Sequence, residues 1–539
     1  MKTLHKSLLL SVALTISCWI ALGQSRGGNW PTYGGDAQRS GWEGADARIT
    51  PATVKDLQLL WKTKLEVQPR GMRPLMPPVI LGRLISYRGF RELAFVGANT
   101  DIVYALDADI GTMFWQKHLE YSTRDPQVTT SSWRCPGGLT AMPTMPVPAR
   151  GAAGRGAPAP PAGQRGSAFI GGPASVYAIS SDGRLHRLNT STGDDMTQPV
   201  SVLPANARTT SLNMVDNVIY TMTTHGCNEA PNAVWAIDLN VDPPKVRSFE
   251  LQAGSNWGVG GPVIGSDGTV YIQTGDGRAQ HSNAVLALTP RELQLKQYFS
   301  SAGRGAQSGG VSDVSNIAAP VVLALNNRDL IVSVCSDDRL CLLDSASLGG
   351  SNQSTPMHQT PSLTPLMRDS QNFAERGIWG GLATWQDSDG TRWVLAPVTG
   401  PQHPDLKAPT TNGSTPSGFI VAFKLREQGG KSTLEPAWVS RDLSSPLPPV
   451  FANGVVFALS AGEFTRKLSD SGDSVDERPK GSTRAILYAL DAQTGKELYS
   501  SRNLISGPAS LTGMTVANGR VYFGGVDGTF YALGMYMER

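Results

Sequence analysis

The feature that most constrains the fold of this chain is a short phrase that recurs eight times. Each copy contains a β-rich run, a turn built from Gly and Asp, and an apolar strand that is often followed by Thr-Gly. The apolar strands end at Asp107, Asn189, Asp238, Thr289, Asp344, Phe423, Asp491 and Leu533. Self-similarity of this kind indicates a repeat protein, in which each copy must pack against its neighbours to bury its faces.

One copy has the pattern of a small antiparallel sheet. Alternating apolar residues favour strands, and Asp-Gly favours tight turns because glycine tolerates a positive φ. The 59 glycines and 37 prolines also indicate many turns and argue against a helical bundle. Repeats of this kind, at roughly 40–50 residues, are typical of propeller blades. We therefore predict an all-β chain, an eight-bladed β-propeller of four-stranded antiparallel blades, in which a strand near Leu57 to Lys64 completes the last blade.

Several gaps between copies are long enough to hold insertions. The clearest is a run rich in Gly, Pro and Ala at 148–166, and residues 351–376 and 401–417 have a similar composition. Such segments are typical of surface excursions. We expect one propeller domain over residues 24–539, with the insertion at 148–166.

The first 23 residues have the pattern of a secretory signal peptide. Lys2 and Lys6 precede a largely apolar run from Leu8 to Leu22, and small residues mark a cleavage site after Gly23. No later run is apolar enough to predict a transmembrane segment. We expect a periplasmic or secreted protein, and the net charge of +3 argues against a nucleic-acid partner.

Four cysteines remain beyond the predicted signal peptide. None forms CxxC or CxxCH, so the sequence predicts neither a fused c-type haem nor a zinc knuckle. Cys335 and Cys341 flank a turn, and they are equally well explained as a disulfide or as two buried thiols.

The blade phrase Ala-Leu-Asp-Ala-x-Thr-Gly, in places with a Trp beyond it, resembles the pyrroloquinoline quinone (PQQ) repeat. That family comprises eight-bladed propellers and includes the quinoprotein alcohol dehydrogenases and the outer-membrane assembly propeller. The opening, Asn29-Trp30-Pro-Thr-Tyr-Gly34, resembles the dehydrogenase branch. Folds host many functions, so the resemblance is stronger for the fold than for the chemistry.

The resemblance implies three cofactor-binding residues. Trp257, in Gly-Ser-Asn-Trp-Gly, matches the tryptophan that stacks under the quinone, although it could instead pack between blades. Trp385 matches a segment that lines the funnel, the central opening where the family binds its quinone. Cys135 alone represents the family's vicinal cysteine pair.

The resemblance also implies a calcium site and a base. Asp276 and Glu229 would be calcium ligands, and the calcium would polarise the quinone. Asp313 would take the hydroxyl proton of an alcohol or sugar while hydride passes to the quinone, and an external acceptor would then take the electrons. Asp276 is also explained as a turn residue, and Asp313 as a solvated loop aspartate.

The family pattern is incomplete in this chain. Ser336 stands where the family has a quinone-contacting arginine, the cysteine pair is reduced to one member, and Glu229 is out of register. Two functions remain open. The favoured one is an exported module that binds a ligand or a partner protein with a degenerate quinone funnel, and the other is a PQQ- and calcium-dependent dehydrogenase that oxidises an alcohol or sugar.

The resemblance further places Cys135 and Cys227 at the same end of the propeller, near the funnel mouth. If they are close, an exported protein would join them in a disulfide that occupies part of the cofactor space. If their Cα atoms are more than about 7 Å apart, both stay reduced.

Overall fold

The structure of the chain is a computed structural model, and its strands follow the repeat pattern. It describes residues 28–44, 46–68, 73–86, 89–119, 135, 137–147, 175–251, 259–275, 281–301, 317–325, 328–335, 338–365, 377–463 and 481–536. Three single 3₁₀ turns, Val54–Asp56, Cys227–Glu229 and Gly350–Asn352, occur among these residues. Within the same ranges, no helix has the length and apolar character needed to cross a bilayer.

The strands are numbered in chain order. The first eighteen are β1 (Trp42–Glu43), β2 (Gln58–Lys64), β3 (Val79–Ser86), β4 (Gly89–Ala98), β5 (Ile102–Asp107), β6 (Met113–His118), β7 (Ser175–Ile179), β8 (Arg184–Asn189), β9 (Val200–Ser201), β10 (Arg208–Thr209), β11 (Asn213–Val215), β12 (Val218–Thr224), β13 (Ala233–Asp238), β14 (Lys245–Glu250), β15 (Val263–Ile264), β16 (Val270–Gln273), β17 (Ala284–Leu288) and β18 (Leu295–Ser300). The others are β19 (Ile317–Ala319), β20 (Val321–Leu325), β21 (Arg328–Cys335), β22 (Arg339–Asp344), β23 (His358–Gln359), β24 (Gly377–Gly381), β25 (Ala383–Gln386), β26 (Arg392–Thr399), β27 (Thr410–Thr411), β28 (Gly418–Gln428), β29 (Lys431–Val439), β30 (Val450–Ala452), β31 (Val455–Ser460), β32 (Ile486–Asp491), β33 (Glu497–Ser500), β34 (Thr515–Ala517), β35 (Arg520–Gly524) and β36 (Thr529–Gly534).

The described residues form eight sheets, one for each copy of the repeat, and they make the eight blades of a propeller ring. Blade 1 is β3–β6, blade 2 is β7–β9, blade 3 is β10–β14, blade 4 is β15–β18, blade 5 is β20–β23, blade 6 is β24–β29 with β19, blade 7 is β30–β33 with β1, and blade 8 is β34–β36 with β2. This confirms the predicted all-β, eight-bladed propeller.

The ring closes by pairing the two ends of the chain. Strand β2 pairs antiparallel with β36, so residues 58–64 supply the outer strand of blade 8, as predicted from the sequence. Strand β1 pairs in parallel with β30 of blade 7. Such closure leaves fewer unpaired sheet edges for other chains to bind.

The blades depart from four strands in places. Blade 2 has three strands, because its inner segment is reduced to one bridge between Thr144 and Tyr177. Strand β23 supplies the outer edge of blade 5 from within the segment 351–376, which the composition had indicated was an insertion. Prolines at Pro356 and Pro361 flank this short polar strand and hide its pattern. The predicted insertion at 148–166 lies outside the described residues.

Tryptophans lock three pairs of neighbouring blades. Trp61, Trp115 and Trp438 each donate an indole hydrogen bond to a carbonyl of the next blade, at Ala108, Thr190 and Ala492. A glycine of the adjoining turn lies under each ring, and a Cβ on Gly111, Gly193 or Gly495 would come within 2.4 to 2.7 Å of the indole. The glycine turns that follow the third strands of blades 1, 2 and 7, two of them Thr-Gly, therefore receive the tryptophan of the preceding blade.

An N-terminal segment, residues 28–44, runs across the centre of the ring and is called the axial strap here. It exchanges hydrogen bonds with every blade in order, from blade 8 through blades 1 to 7. The pairs are Gly28 with Asn518, Trp30 with Ile80, Pro31 with Met145, Thr32 with Leu212, Ala37 with Ile264, Gln38 with Val322, Ser40 with Thr384, and Gly41 with Phe451. Except at Asn518, which lies in the turn after β34, the partners belong to the innermost segment of each blade, so the strap closes the central channel.

Candidate functional site

The two ends of the channel differ because successive turns of an antiparallel sheet lie at opposite ends of its strands. Strap contacts such as Asn518 and Ile264 lie at or next to the turns between first and second strands. Cys227 lies in the turn between β12 and β13, the second and third strands in the order across the sheet of blade 3. The strap therefore closes one end of the channel, and the open end, called the funnel mouth here, carries Cys227.

Cys135 and Cys227 form a disulfide at the funnel mouth. Their Cα atoms are 5.5 Å apart, and the bond joins the segment that leads into blade 2 to the turn of blade 3. Gly226 and Asn228 on either side of Cys227 both have a positive φ, which allows the tight turn that presents this cysteine. The two cysteines lie at the same end of the propeller, as predicted, and they are joined. Cys335 and Cys341 form a second disulfide within blade 5.

Glu229 follows directly on this turn and is exposed. Within the described ranges, no group of three or more His, Cys, Asp and Glu side chains lies close enough together to hold a metal ion. The environment of Glu229 therefore does not resemble a calcium site in the part of the chain that the structure describes.

Trp385 lies inside the packing between blades 6 and 7. Its ring is fully buried and stacks between Trp393, at 5.1 Å between ring centroids, and Phe451, at 4.6 Å. Both faces of the indole are thus covered by other aromatic rings. The structure gives no support to its assignment as a cofactor-binding residue and places it in the blade core instead.

Trp257, Asp276 and Asp313 lie outside the described residues, as does Ser336. Strands β16 and β21, which precede Asp276 and Ser336, end at the funnel mouth because they are second strands of their blades. Three of the six assigned residues are described, and the surroundings of these three do not fit a bound quinone and calcium ion. Cys135 is bonded to Cys227, Trp385 is enclosed, and Glu229 is exposed, with no cluster of metal-ligating side chains among the described residues.

Tyr33 of the axial strap projects toward the axis of the ring, between blades 4, 6 and 8. A Cβ added to Gly381 of blade 6 or Gly513 of blade 8 would lie 3.6 and 3.5 Å from its hydroxyl, and one added to Gly260 before blade 4 would lie 3.6 Å from its ring. Side chains at these glycines would fill the space around the ring. The Tyr33 side chain is buried, and its hydroxyl has no hydrogen-bond partner in the described part of the chain.

Arg39 fastens the strap beneath this ring. Its guanidinium donates hydrogen bonds to Thr32 Oγ1 and to the carbonyls of Tyr33, Ser211 and Leu212, and it lies 5.6 Å from the Tyr33 ring centroid. Burial lowers the pKa of Arg39 to about 9, although Tyr33 and Asp36 act in the opposite direction. Burial raises the pKa of Tyr33, so the phenol stays protonated at neutral pH.

Two further arginines lie at the funnel mouth, because Arg208 pairs with Thr224 before the turn of Cys227 and Arg73 precedes Pro74, whose carbonyl accepts from Asn99 in the turn between β4 and β5. Arg208, in β10 of blade 3, is 7% exposed, and its pKa is lowered by burial and then by the positive charge of Arg73. Arg73, which precedes blade 1, also acts electrostatically on Tyr33. Isolated arginines form no motif, so nothing in the sequence indicates a role for Arg73 or Arg208. Tyr33 lies in the opening motif, but nothing local indicates that it reaches the channel axis.

A Ser, His and Asp set within blade 2 has the hydrogen-bond order of a nucleophilic triad. Ser180 Oγ is 3.2 Å from His186 Nε2, and His186 Nδ1 is 2.9 Å from Asp195 Oδ1. However, the Ser180 hydroxyl also donates to Asp182, and Ser180 and His186 are both buried in the sheet. A nucleophile needs access to substrate, so this set stabilises the blade rather than forming an active site.

Comparisons with known proteins show which solved structures share this fold. No protein-family model and no curated protein sequence matches the chain. Among solved structures, it is similar to a quinohemoprotein alcohol dehydrogenase from Pseudomonas putida HK5, with 12% identity over 94% of this chain and 80% of the other and a TM-score of 0.54. A quinohemoprotein alcohol dehydrogenase from Comamonas testosteroni is similar as well. It has 14% identity over 97% of this chain and 82% of the other, with a TM-score of 0.53.

A europium-containing methanol dehydrogenase is also similar, with 11% identity over 96% of this chain and 99% of that one and a TM-score of 0.56. Identities this low show a shared fold and nothing finer. The chain therefore has the eight-bladed propeller fold of these quinoproteins.

Proposed function

We propose that the protein is an exported propeller that binds a small ligand in its channel, in a funnel that no longer serves a quinone. The observation that carries this proposal is the disulfide between Cys135 and Cys227. It lies at the mouth where the family resemblance expects a vicinal cysteine pair and a calcium ligand. A bond between blades 2 and 3 at that position narrows the space that a tricyclic quinone needs.

The closed end of the channel favours a site that binds a small ligand over a pore through which a ligand would pass. The axial strap makes hydrogen bonds to all eight blades, so a ligand that enters by the mouth also leaves by it. Blind cavities with a few convergent polar groups are the usual form of small-molecule sites.

The alternative is a PQQ- and calcium-dependent dehydrogenase that acts on an alcohol or sugar. The sequence around Trp257 and Asp276 favours it, together with the fold shared with quinoprotein dehydrogenases. The described residues do not fit that cofactor pair, so we derive no catalytic step from it.

One experiment separates the two functions. Purified protein is incubated with PQQ and calcium, and dye reduction is followed with alcohols and sugars, beside a thermal-shift screen of small molecules without PQQ. We expect no dye reduction and a rise in melting temperature with at least one small molecule. Turnover that is lost in Asp313→Ala and kept in Asp405→Ala, a change in an exposed loop aspartate, would instead establish the dehydrogenase.

A further inference from the structure

The first hairpin of blade 1 projects from the closed end of the propeller. A turn between first and second strands joins β3 to β4, and such turns lie at the closed end. The third strand, β5, ends at Asp107, opposite Leu93 of β4. Residues 89–92 therefore extend about 13 Å past the third strand, as one half of a two-stranded ribbon. Residues 87 and 88 at its tip lie outside the described residues.

The described part of this ribbon exposes two large apolar side chains. Ile85 of β3 pairs with Phe90 of β4, so the two side chains lie next to each other on one face. Ile85 is 40% exposed and Phe90 is 66% exposed. Adjacent exposed apolar side chains are typical of surfaces that bind a partner or a membrane, because binding removes them from water.

The apolar surface continues onto the turn beside the ribbon. This turn leads from β5 to β6, and Ile110 and Met113 are exposed there. The turn contacts the base of the ribbon, since the amide of Ala108 donates a hydrogen bond to the carbonyl of Glu92. Five further large apolar side chains are exposed at or near the closed-end turns of blades 2, 3, 4, 5 and 8, namely Met196, Val241, Leu295, Met357 and Tyr536.

The ribbon is basic as well as apolar. Residues 82–91 contain three arginines and no acidic residue. The Arg83 guanidinium lies 5.3 Å from the Phe90 ring centroid and makes no ion pair among the described residues. Arg91 lies 3.5 Å from Asp107, and its side chain is 41% exposed. Arginines beside exposed apolar side chains are typical of segments that bind a bilayer with anionic headgroups.

The chain also enters the propeller at the closed end. The amide of Gly28 donates to Asn518 Oδ1 in the closed-end turn of blade 8. Five residues separate Gly28 from the apolar run Leu8 to Leu22 of the predicted signal peptide, and they span at most about 20 Å. A signal peptide enters the membrane before it is cleaved. During export, the closed end is therefore the part of the propeller that is held near a bilayer.

We propose that the closed end docks on a lipid bilayer with anionic headgroups, with Ile85 and Phe90 inserted among the lipids and Arg83 beside the headgroups. Across the ring, closed-end turns of blades 4 and 6 expose Asp267 and Asp389, which the headgroups repel, so the side of blade 1 lies nearest the bilayer. The funnel mouth then opens away from the membrane. The inference goes beyond the proposed function, because docking uses the end of the propeller opposite to the ligand entrance.

Co-sedimentation with lipid vesicles tests the inference. The exported protein is purified without its signal peptide and mixed with vesicles of phosphatidylethanolamine and phosphatidylglycerol in equal parts, or of phosphatidylcholine alone. We expect binding to the anionic vesicles that weakens as salt is added. Phe90→Ser and Ile85→Ser should each weaken binding about tenfold and Arg83→Gln about fivefold, whereas Phe90→Trp should retain it. Leu504→Ser is the matched control, because Leu504 is 42% exposed but lies at the mouth, and it should change nothing.

Three results would overturn the membrane assignment. The first is no binding to anionic vesicles, or equal binding to both kinds. The second is binding that neither Phe90→Ser nor Ile85→Ser weakens. The third is a dimer, seen by sedimentation velocity without lipid, that Phe90→Ser dissociates, since a second copy of the chain would then cover the ribbon. If Phe90→Ser does not fold, Arg83→Gln and the salt dependence decide. Small-molecule binding in the channel is measured separately, so either proposal can fail while the other stands.

Discussion

At the scale of single residues, the glycines of the Thr-Gly turns decide how closely two blades approach. Gly193 lies under Trp115, and its missing Cβ would be 2.7 Å from the indole ring. Its φ of 79° is also in the left-handed region that favours glycine. Glycine is therefore required at this position for two reasons. The turn needs a positive φ, and the tryptophan of the neighbouring blade leaves no room for a Cβ.

The change Gly193→Ala should therefore cost more stability than backbone strain explains. We expect a loss of about 3 kcal/mol, the sum of left-handed strain and overpacking against Trp115. The matched control is Gly268→Ala, because Gly268 has a φ of 84° but its nearest neighbour would be 3.8 Å away. Urea unfolding of both variants measures the difference, and equal losses would contradict a role for the tryptophan contact.

At the scale of blades, a buried ionic network joins blade 8 to blade 1. Arg520 of β35 donates to Glu92 of β4 and to Asp109 after β5, and Asn518 donates to Glu92. Burial raises the pKa of Glu92 to about 7, since one guanidinium shared with Asp109 offsets only part of the desolvation. Glu92 therefore binds its proton more tightly in the folded than in the unfolded protein.

This shift predicts how stability changes with pH. The contribution of Glu92 is fully present below its unfolded pKa of 4.5 and is lost as the pH rises through about 7. The loss is about 3 kcal/mol, which Glu92→Gln should abolish. Urea unfolding of the wild-type protein and the variant at acidic and slightly alkaline pH measures the change in the free energy of unfolding. Glu292→Gln is the control, because that exposed glutamate has a lowered pKa, and an unchanged pH dependence in Glu92→Gln would refute the assignment.

The repeat pattern predicted those strands and turns whose structure is determined by residues close together in the sequence. Alternation and Asp-Gly turns specify the strands, and the closing strand at 58–64 was evident because the last copy lacked an outer strand. The path of the axial strap was not predictable, since its partners are spread over all eight blades. Trp385 was assigned to the funnel by resemblance, but a tryptophan in an inner strand can face either the channel or the next blade, and here it faces blade 7.

At the scale of the whole molecule, the Cys135–Cys227 disulfide ties together the segments on either side of blade 2. It closes a loop of 92 residues, whereas Cys335–Cys341 closes a loop of 6. In the chain-entropy model the long loop contributes about 4.5 kcal/mol and the short one about 2 kcal/mol. We expect replacement of Cys135 and Cys227 by Ala to lower the free energy of unfolding by clearly more than replacement of Cys335 and Cys341.

Peptide mapping by mass spectrometry under non-reducing conditions checks the pairing directly, and urea unfolding of the two double variants checks the energies. The free energy of unfolding could instead fall less when Cys135 and Cys227 are replaced than when Cys335 and Cys341 are replaced. That result would show that the unfolded chain is not constrained as the loop lengths imply. The Cys335 and Cys341 variant is also the control for general effects of removing a disulfide.

The axial strap has a consequence for the order in which the molecule assembles. A ribosome makes residues 28–44 before any of the eight blades, yet the surface that they bind includes Asn518 of blade 8. The nascent strap therefore has no complete binding site until nearly all of the protein has been synthesised. Docking of the strap and pairing of β2 with β36 must be late, slow events, because contacts so distant in sequence require a large loss of chain entropy. A segment that is synthesised before every blade is thus among the last to dock.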